Sequence, residues 1–241
     1  MPFIHGKNAA VLHGANDLSS YLNSAQQQTS VATAETTAFG NSAKTYITGL
    51  EDATLSASGM FDGAANAVDQ ILSTSIGSDT LAPVLVAPSG IALGSRVILG
   101  QAKTTSYQVS SPVGDVVSVS YDAQLDGGAD YGVALTALAA VTATTTGTGV
   151  DNTTSSTNGG IAQLHVTANT WSANATIKVQ HSTDNSTFVD LASFTVVATT
   201  VKTSERVAVA AGTTVNRYLR ALNTLTAGTG SITYQVSFAR R

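Results

Sequence analysis

Cysteine is missing from the 241-residue sequence, so neither a disulfide frame nor a thiolate metal site is open to it. Charge is scarce as well. Asp, Glu, Lys and Arg make up 11% of the residues, against roughly 25% in an ordinary soluble domain. No window approaches the roughly 20 apolar residues of a membrane helix, so no membrane insertion is expected. The opening "MPFIHGKNAAVLHGANDLSS" has no apolar run of signal-peptide length, and the expectation is a protein made in a reducing cytoplasm. There is no P-loop, no glycine-rich dinucleotide fingerprint and no G-x-S-x-G elbow. Missing motifs and few charged side chains together argue against an enzyme, and no cofactor is implied.

Thr, Ser, Ala, Gly and Val fill the gap, and 43% of the residues are hydrophobic, enough for a core. A surface of small polar groups suits a protein largely covered by copies of itself. Its charge is uneven. Residues 1–150 carry a net −7 and residues 151–241 a net +3. The acidic first part argues against tight phosphate binding, which needs Lys and Arg to displace counterions.

The patterning is mainly β. From Ala53, residues Leu55, Ala57, Gly59 and Phe61 point one way and Thr54, Ser56, Ser58 and Met60 the other, the period of a half-buried strand. "DGAANAVDQILSTSIG" predicts one short helix. Asp62 is its N-cap, Ala64, Val68, Ile71 and Leu72 lie on one face, and Gly77 is its stop. Pro83 and Pro88 confine a strand between them to a sheet edge. "GDVVSVSYDAQLDGG" places Val117, Val119, Tyr121, Ala123 and Leu125 on one face and ends in a turn. Residues 142–160 are low-complexity Thr/Ser/Gly/Asn. The expected division is therefore a first domain over 1–142, a linker over 143–160 and a second domain over 161–241. The first is expected to be a β-sandwich or barrel with one short flanking helix. Six strand candidates in the second, at 161–167, 174–181, 186–197, 205–211, 215–224 and 231–239, indicate an antiparallel sandwich. Ile232, Tyr234, Val236 and Phe238 form its last inward row.

Few residues point to chemistry. His5, His13, His165 and His181 have no metal-site spacing, although His165 and His181 fall in strands that fold together. Asp122, Asp126 and Asp130 do not match a calcium loop, so no metal is expected. Paired carboxylates from distant strands leave a hydrolase as a minor alternative. Three N-x-T sequons, at Asn152, Asn174 and Asn185, fit chance in a Thr-rich chain. Trp171, in the polar stretch "NTWSAN", is a possible sugar-stacking surface, set against the commoner role of core anchor. In "RYLR", Arg217 shares a face with Leu219, and Tyr218 with Arg220; salt bridges or subunit contacts are the two roles open to these arginines.

One segment carries a resemblance. "TTAFGNSAKTYITGLEDATLSASGMFDG", from Thr36 to Gly63, resembles the region shared by major tail tube proteins of long-tailed, siphovirus-like bacteriophages. The matching residues are Thr36, Thr37, Phe39, Gly40, Ser42, Ala43, Lys44, Tyr46, Gly49, Leu50, Gly59, Phe61 and Asp62. The preceding "NDLSSYLNSAQQQTSVATAE" is similar to the strand that leads into it. Residues 160–241 are similar to the extra C-terminal β domain that some of these proteins carry. The likeness is closest over 8–63 and loosest over 64–140.

The resemblance implies a structural virion protein of the phage tail, assembled in the bacterial host cytoplasm. Its subunits form rings, hexameric in the family, that stack into a tube around the tape measure protein and later conduct DNA without binding it specifically. Tail terminator and distal tail proteins are the implied end partners. Phe39, Gly40, Lys44, Tyr46, Gly49 and Leu50 are the implied contacts between rings or subunits. Asp115, Asp122 and Asp126 are candidates for an acidic lumen that repels phosphate. The alternative is a phage decoration or host-adhesion protein that binds cell-surface glycans through its C-terminal domain and Trp171.

Overall fold

The computed structural model describes residues 5–241. After a 3-10 turn at Gly6–Asn8 the strands are β1 (Ala10–His13), β2 (Asn16–Asp17), β3 (Leu22–Glu35), β4 (Tyr46–Met60), β5 (Ala82–Ala87), β6 (Arg96–Ser110), β7 (Ser118–Leu125), β8 (Asp130–Ala134) and β9 (Ala139–Val141). The chain continues with β10 (Thr145–Thr146), β11 (Val150–Asp151), β12 (Gly160–Asn169), β13 (Ala175–Ser182), β14 (Val189–Ser193), β15 (Thr203–Val209), β16 (Tyr218–Leu225) and β17 (Ile232–Arg240). The single α-helix among the described residues, α1 (Val68–Ser75), lies between β4 and β5. The fold is mainly β, as the alternation predicts.

Two compact units result, and they do not follow the boundary expected at 143–160. One holds the N-terminal residues through Ser20, Ala82–Leu99 and Asp130–Arg241; the other holds Tyr21–Leu81 and Gly100–Ala129. The Thr/Ser-rich stretch is not a free linker. Thr145 and Thr146 pair with Asn223 and Leu222, and Val150 and Asp151 pair with Leu219 and Tyr218. Threonine has high strand propensity, so a tract that is low in complexity still forms short edge strands when a partner is at hand.

The unit containing α1 is built on an antiparallel sheet in the order β3-β4-β7-β6. Its apolar face carries Ala53, Leu55 and Ala57 of β4, Val119, Tyr121, Ala123 and Leu125 of β7, and Ala102 of β6, all buried. Burying side chains the size of Leu55 stabilises by about 1.5–3 kcal/mol each. The helix is fastened to β6: the Tyr107 hydroxyl donates to Asp69 Oδ1 at 2.7 Å, and Ser75 and Thr104 hydroxyls meet at 2.8 Å. Val68 and Leu72 are its buried residues.

The helix starts later than predicted. Asp62 Oδ1 accepts from the Ala64 N–H at 2.9 Å, which closes a turn ahead of the helix instead of capping it. Asn66 then adopts φ 62°, a left-handed conformation that interrupts any helix running from Asp62. Ala67 is the N-cap, and Ala64 is left exposed. Gly77, at φ 69°, sits just past the C-cap Ile76, where the predicted stop lies.

The other unit contains the expected antiparallel sandwich. One layer orders β15-β12-β17 and the other is built from β13, β14 and β16, with β10 and β11 on β16. Between them pack Ala162, Leu164, Val166, Ile177, Val179, Leu219, Ala221, Ile232, Tyr234, Val236 and Phe238. All four residues of the predicted inward row are there. The opposite face of β17 is also covered, since Gln235, Ser237 and Ala239 are fully buried. A second apolar cluster joins Ala239 to Leu12 of β1, Leu85 and Ala87 of β5, Val97 and Leu99 of β6 and Ala134 of β8. β5 is not an edge strand: it lies between β1 and β6. Pro83 is near its start and Pro88 falls just beyond its end, so the missing N–H groups spare the middle of the ladder.

Candidate assembly surface

β3 and β4 are longer than the strands beside them. β7 ends at Leu125, whose partner on β4 is Ala53, so the preceding residues of β4, Tyr46–Asp52, pair with β3 alone. The result is a two-stranded arm without a third strand. Every residue of β4 from Tyr46 to Asp52 is exposed, as is nearly all of β3. Its tip, residues 36–45, is closed by the Thr36 N–H on the Thr45 carbonyl at 2.8 Å and the Thr45 N–H on Thr37 Oγ1 at 3.1 Å.

The structure brings all six expected contact residues onto this arm. Phe39 is fully exposed at the tip and Leu50 is 85% exposed on β4; Tyr46 is half open. Gly40 has φ 94°, which a side chain there would resist. Gly49 serves a different purpose. β4 carries two residues, Gly49 and Leu50, opposite Ala32 of β3, and a Cβ at Gly49 would sit 3.3 Å from the Ala32 carbonyl oxygen. Glycine there lets the two backbones close past the irregularity. Lys44 is exposed but engaged within the arm: its Nζ is 3.0 Å from Glu35 Oε2. That bond, and then the Thr37 hydroxyl, hold the Glu35 carboxyl below its ordinary range.

Val31 and Ile47 are exposed on the same arm and escaped the sequence analysis. So did the outer edge of β3, which among the described residues pairs with β4 only. A signal was present. "LNSAQQQTSVATA" runs through β3 with no charge and no proline, the residues that ordinarily blunt an edge. At the other end of the sheet, Val113 and Val116 in the β6–β7 loop are exposed, as are Met60 at the end of β4 and Phe61 just after it.

The three candidate lumen acids do not converge. Asp122 lies mid-strand on the polar face of the sheet, its carboxylate accepting from Ser56 Oγ at 2.6 Å and Ser106 Oγ at 2.7 Å. Those two hydroxyls, Ser56 first, hold its carboxyl below the usual range. Asp126 lies past one end of β7, where its N–H donates to the Gln101 carbonyl, and Asp115 lies before the other end, accepting from the Val116 N–H at 2.7 Å. Asp52 and Gln124, joined by the Gln124 side-chain amide, extend the polar face around Asp122. Beside them on this face stand the hydroxyls and amides of Thr54, Ser58, Ser120 and Gln108, with Lys103 bound to Asp79 at 3.6 Å and Met60 at its margin.

Trp171 is not a surface platform. Only 5% of it is exposed, and its indole N–H donates to the Thr226 carbonyl at 3.1 Å. Neighbouring polar residues turned it inward: Asn169 Oδ1 accepts from the Trp171 backbone N–H, fixing the turn that tucks the ring under. Arg217 pairs with Asp151 in a two-point contact through Nε and Nη2, while Arg220 stacks 3.9 Å over the Phe188 ring. His165 and His181 lie in different sheets, and His181 Nδ1 accepts from the Asn216 N–H. Among the described residues no group of three or more His, Asp or Glu is placed to hold a metal ion, and no helix is long and apolar enough to cross a membrane.

No protein-family model matches the sequence, and no curated protein matches it. Solved structures similar to the chain include one chain from the virion of a native gene transfer agent particle and one from the tail of an empty gene transfer agent particle with C6 symmetry. Each is 14% identical, with a TM-score of 0.44, over 54% of this chain and 98% of that one. The SPP1 Dit protein, described as a paradigm of the hub adsorption apparatus in phages that infect Gram-positive bacteria, is 13% identical with a TM-score of 0.38, over 96% of this chain and 98% of that one.

Proposed function

We propose that the chain is a structural subunit that polymerises with copies of itself, and specifically a phage tail tube protein whose stacked rings surround a tape measure protein and later conduct DNA. The observation that carries this is the β3–β4 arm. An isolated two-stranded hairpin is marginal in water, yet this one extends with neither face covered and with Phe39, Tyr46, Ile47 and Leu50 open to solvent. An identical neighbour would supply what the arm lacks. The free edge of β3 offers unpaired N–H and C=O groups to a neighbouring strand, and the tip offers apolar side chains to a neighbouring surface. Using different patches on the two partners makes the contact heterologous, so it closes into a ring around one axis and propagates as a filament along another.

The polar face around Asp122 suits a DNA conduit. Hydroxyls, amides and carboxylates, with one lysine already paired, give phosphate no cationic site to bind. The resemblance of residues 36–63 to tail tube proteins supports the same role, along with hexameric rings and tail terminator and distal tail proteins at the ends. Glycan adhesion through Trp171 lacks support, because a stacking platform must present its ring.

Negative-stain electron microscopy of the concentrated protein, alone and with tape measure protein, tests the proposal. Rings or tubes of fixed diameter are expected from the native chain. Replacing Phe39 and Leu50 together by Ser is expected to leave a folded subunit that does not stack. Native protein that stays monomeric under both conditions, or polymers that survive the double substitution, would refute it.

A further inference from the structure

His13 and His165 are both buried in the unit that holds the sandwich, the His13 ring acts electrostatically on His165, and neither belongs to the surface described above. In the antiparallel ladder β15-β12-β17, residues directly opposite each other share a face. Gln163 stands between Arg206 and Ser237, and His165 between Ser204 and Gln235. This is the second face of the layer, turned away from the sandwich core. The β1–β2 corner reaches it through backbone carbonyls. Gly14 O lies 2.7 Å from His165 Nδ1, and Val84 O of β5 accepts from Gln163 Nε2 at 2.8 Å.

These bonds specify one protonation state. Gln163 Nε2 donates both to Val84 O and, at 2.8 Å, to His165 Nε2. The His165 Nε2 must then be the bare, accepting nitrogen, and Nδ1 carries the hydrogen given to Gly14 O. A second proton on the ring would set an N–H against the amide N–H of Gln163. Turning that amide over would instead set its oxygen against the Val84 carbonyl. Either way a buried contact becomes repulsive.

The groups acting on His165 are the Gly14 carbonyl and the His13 ring, and burial is the force acting on His13. Asp17 on β2 is engaged by Ser19 and Glu205 on β15 by Thr195. Asp130 on β8 is held by Arg206 and Arg241. β5 brings only apolar side chains and backbone, and Lys202, ahead of β15, donates to Asn16 Oδ1 of β2. Burial accordingly pushes both imidazoles down to about 4.

We propose that His13, Gly14, Gln163 and His165 form an acid-release catch, which holds the His13–Asp17 corner against β12 while both rings are neutral and frees it when they are protonated. A folded-state value below the ordinary 6.5 means that the free corner binds more protons. The grip is complete above pH 6.5 and weakens as pH falls towards about 4. The titrating groups lie outside the β3–β4 arm, so the catch does not depend on the assembly role proposed above.

Hydrogen exchange of the full chain, corrected for the intrinsic pH dependence of exchange, reads the catch directly. Between pH 7 and pH 4.5 the segment 10–17 is expected to lose at least tenfold in protection, while 175–182 and 218–225 keep theirs. In His165→Gln, whose amide can still donate to Gly14 O, the pH response of 10–17 is expected to fall by about half, since His13 alone still titrates there. If that variant does not fold at pH 7, His13→Asn, expected to halve the pH response, takes its place. Unchanged protection of 10–17 down to pH 4.5, or its loss together with 175–182, would overturn the proposal. So would a substituted chain with the native pH profile.

Discussion

The Tyr107 hydroxyl donates to Asp69 Oδ1 across 2.7 Å, tying the only helix among the described residues to the sheet beneath it. The phenol pays for its position by losing water, and burial first, then the Asp69 carboxylate, push it well above its ordinary range. Tyr107→Phe keeps the ring and removes the bond. A hydrogen bond to a charged acceptor contributes roughly 1.5–3 kcal/mol, and partial exposure places this one near the lower end. Urea denaturation is expected to show a loss of about 1 to 1.5 kcal/mol, with faster amide exchange in Val68–Ser75. No change in either would mean that the helix is held by Val68 and Leu72 alone.

Asp130 sits between two arginines, and both it and Arg206 are almost wholly buried, at 10% and 8% side-chain exposure. Removing one partner of such a pair strands the other charge out of water. Asp130→Ala is expected to cost about 3–5 kcal/mol. Arg241→Ala, which removes the half-exposed partner, is expected to cost about 1 kcal/mol or less. Thermal or chemical denaturation ranks the two; equal losses would contradict the burial difference.

Trp171 is the sole tryptophan, so its fluorescence reports one site. A ring buried to this extent is expected to emit in the blue-shifted range, to resist quenching by iodide and to ignore added oligosaccharides. Ready quenching, or a glycan-dependent shift, would place the ring at the surface.

Two carboxylates set an acid limit separate from the histidines. Asp151 is drawn down to about 2 by Arg217 and then the Thr153 N–H, and Asp184 to about 2 by the Ser182 hydroxyl and then the Ser186 and Thr187 N–H groups. Values below the ordinary 3.8 mean that these bonds are intact above that pH and are lost as it falls through about 2. Carboxyl chemical shifts followed by NMR are expected to titrate near pH 2 at both sites. In Arg217→Gln, Asp151 is expected to return towards 3.8 while Asp184 stays.

Much of this was legible locally. A period of two marks β4, β7 and β17 because neighbouring side chains on a strand face opposite ways, whatever it pairs with. Gly77 marks the helix end because its left-handed conformation suits glycine. The start was misjudged because Asp62 had a competing use, a turn closed on Ala64, that composition does not distinguish from a cap. Trp171 was ambiguous for a similar reason. Polar neighbours imply exposure only when they face solvent, and here Asn169 is spent on the backbone of the turn.

Strand periodicity, the lack of cysteine and the thin supply of charge follow from the order of residues alone, and they determined a β protein with little machinery for catalysis. Tertiary structure alone decided which strand edges stay unpaired, which half of β4 outruns its neighbour, and that His165 meets the Gly14 carbonyl instead of His181. Those outcomes rest on register between segments up to 151 residues apart, as for Gly14 and His165. Local preference is blind to them, because a strand's pattern states which face it buries but not what will cover it.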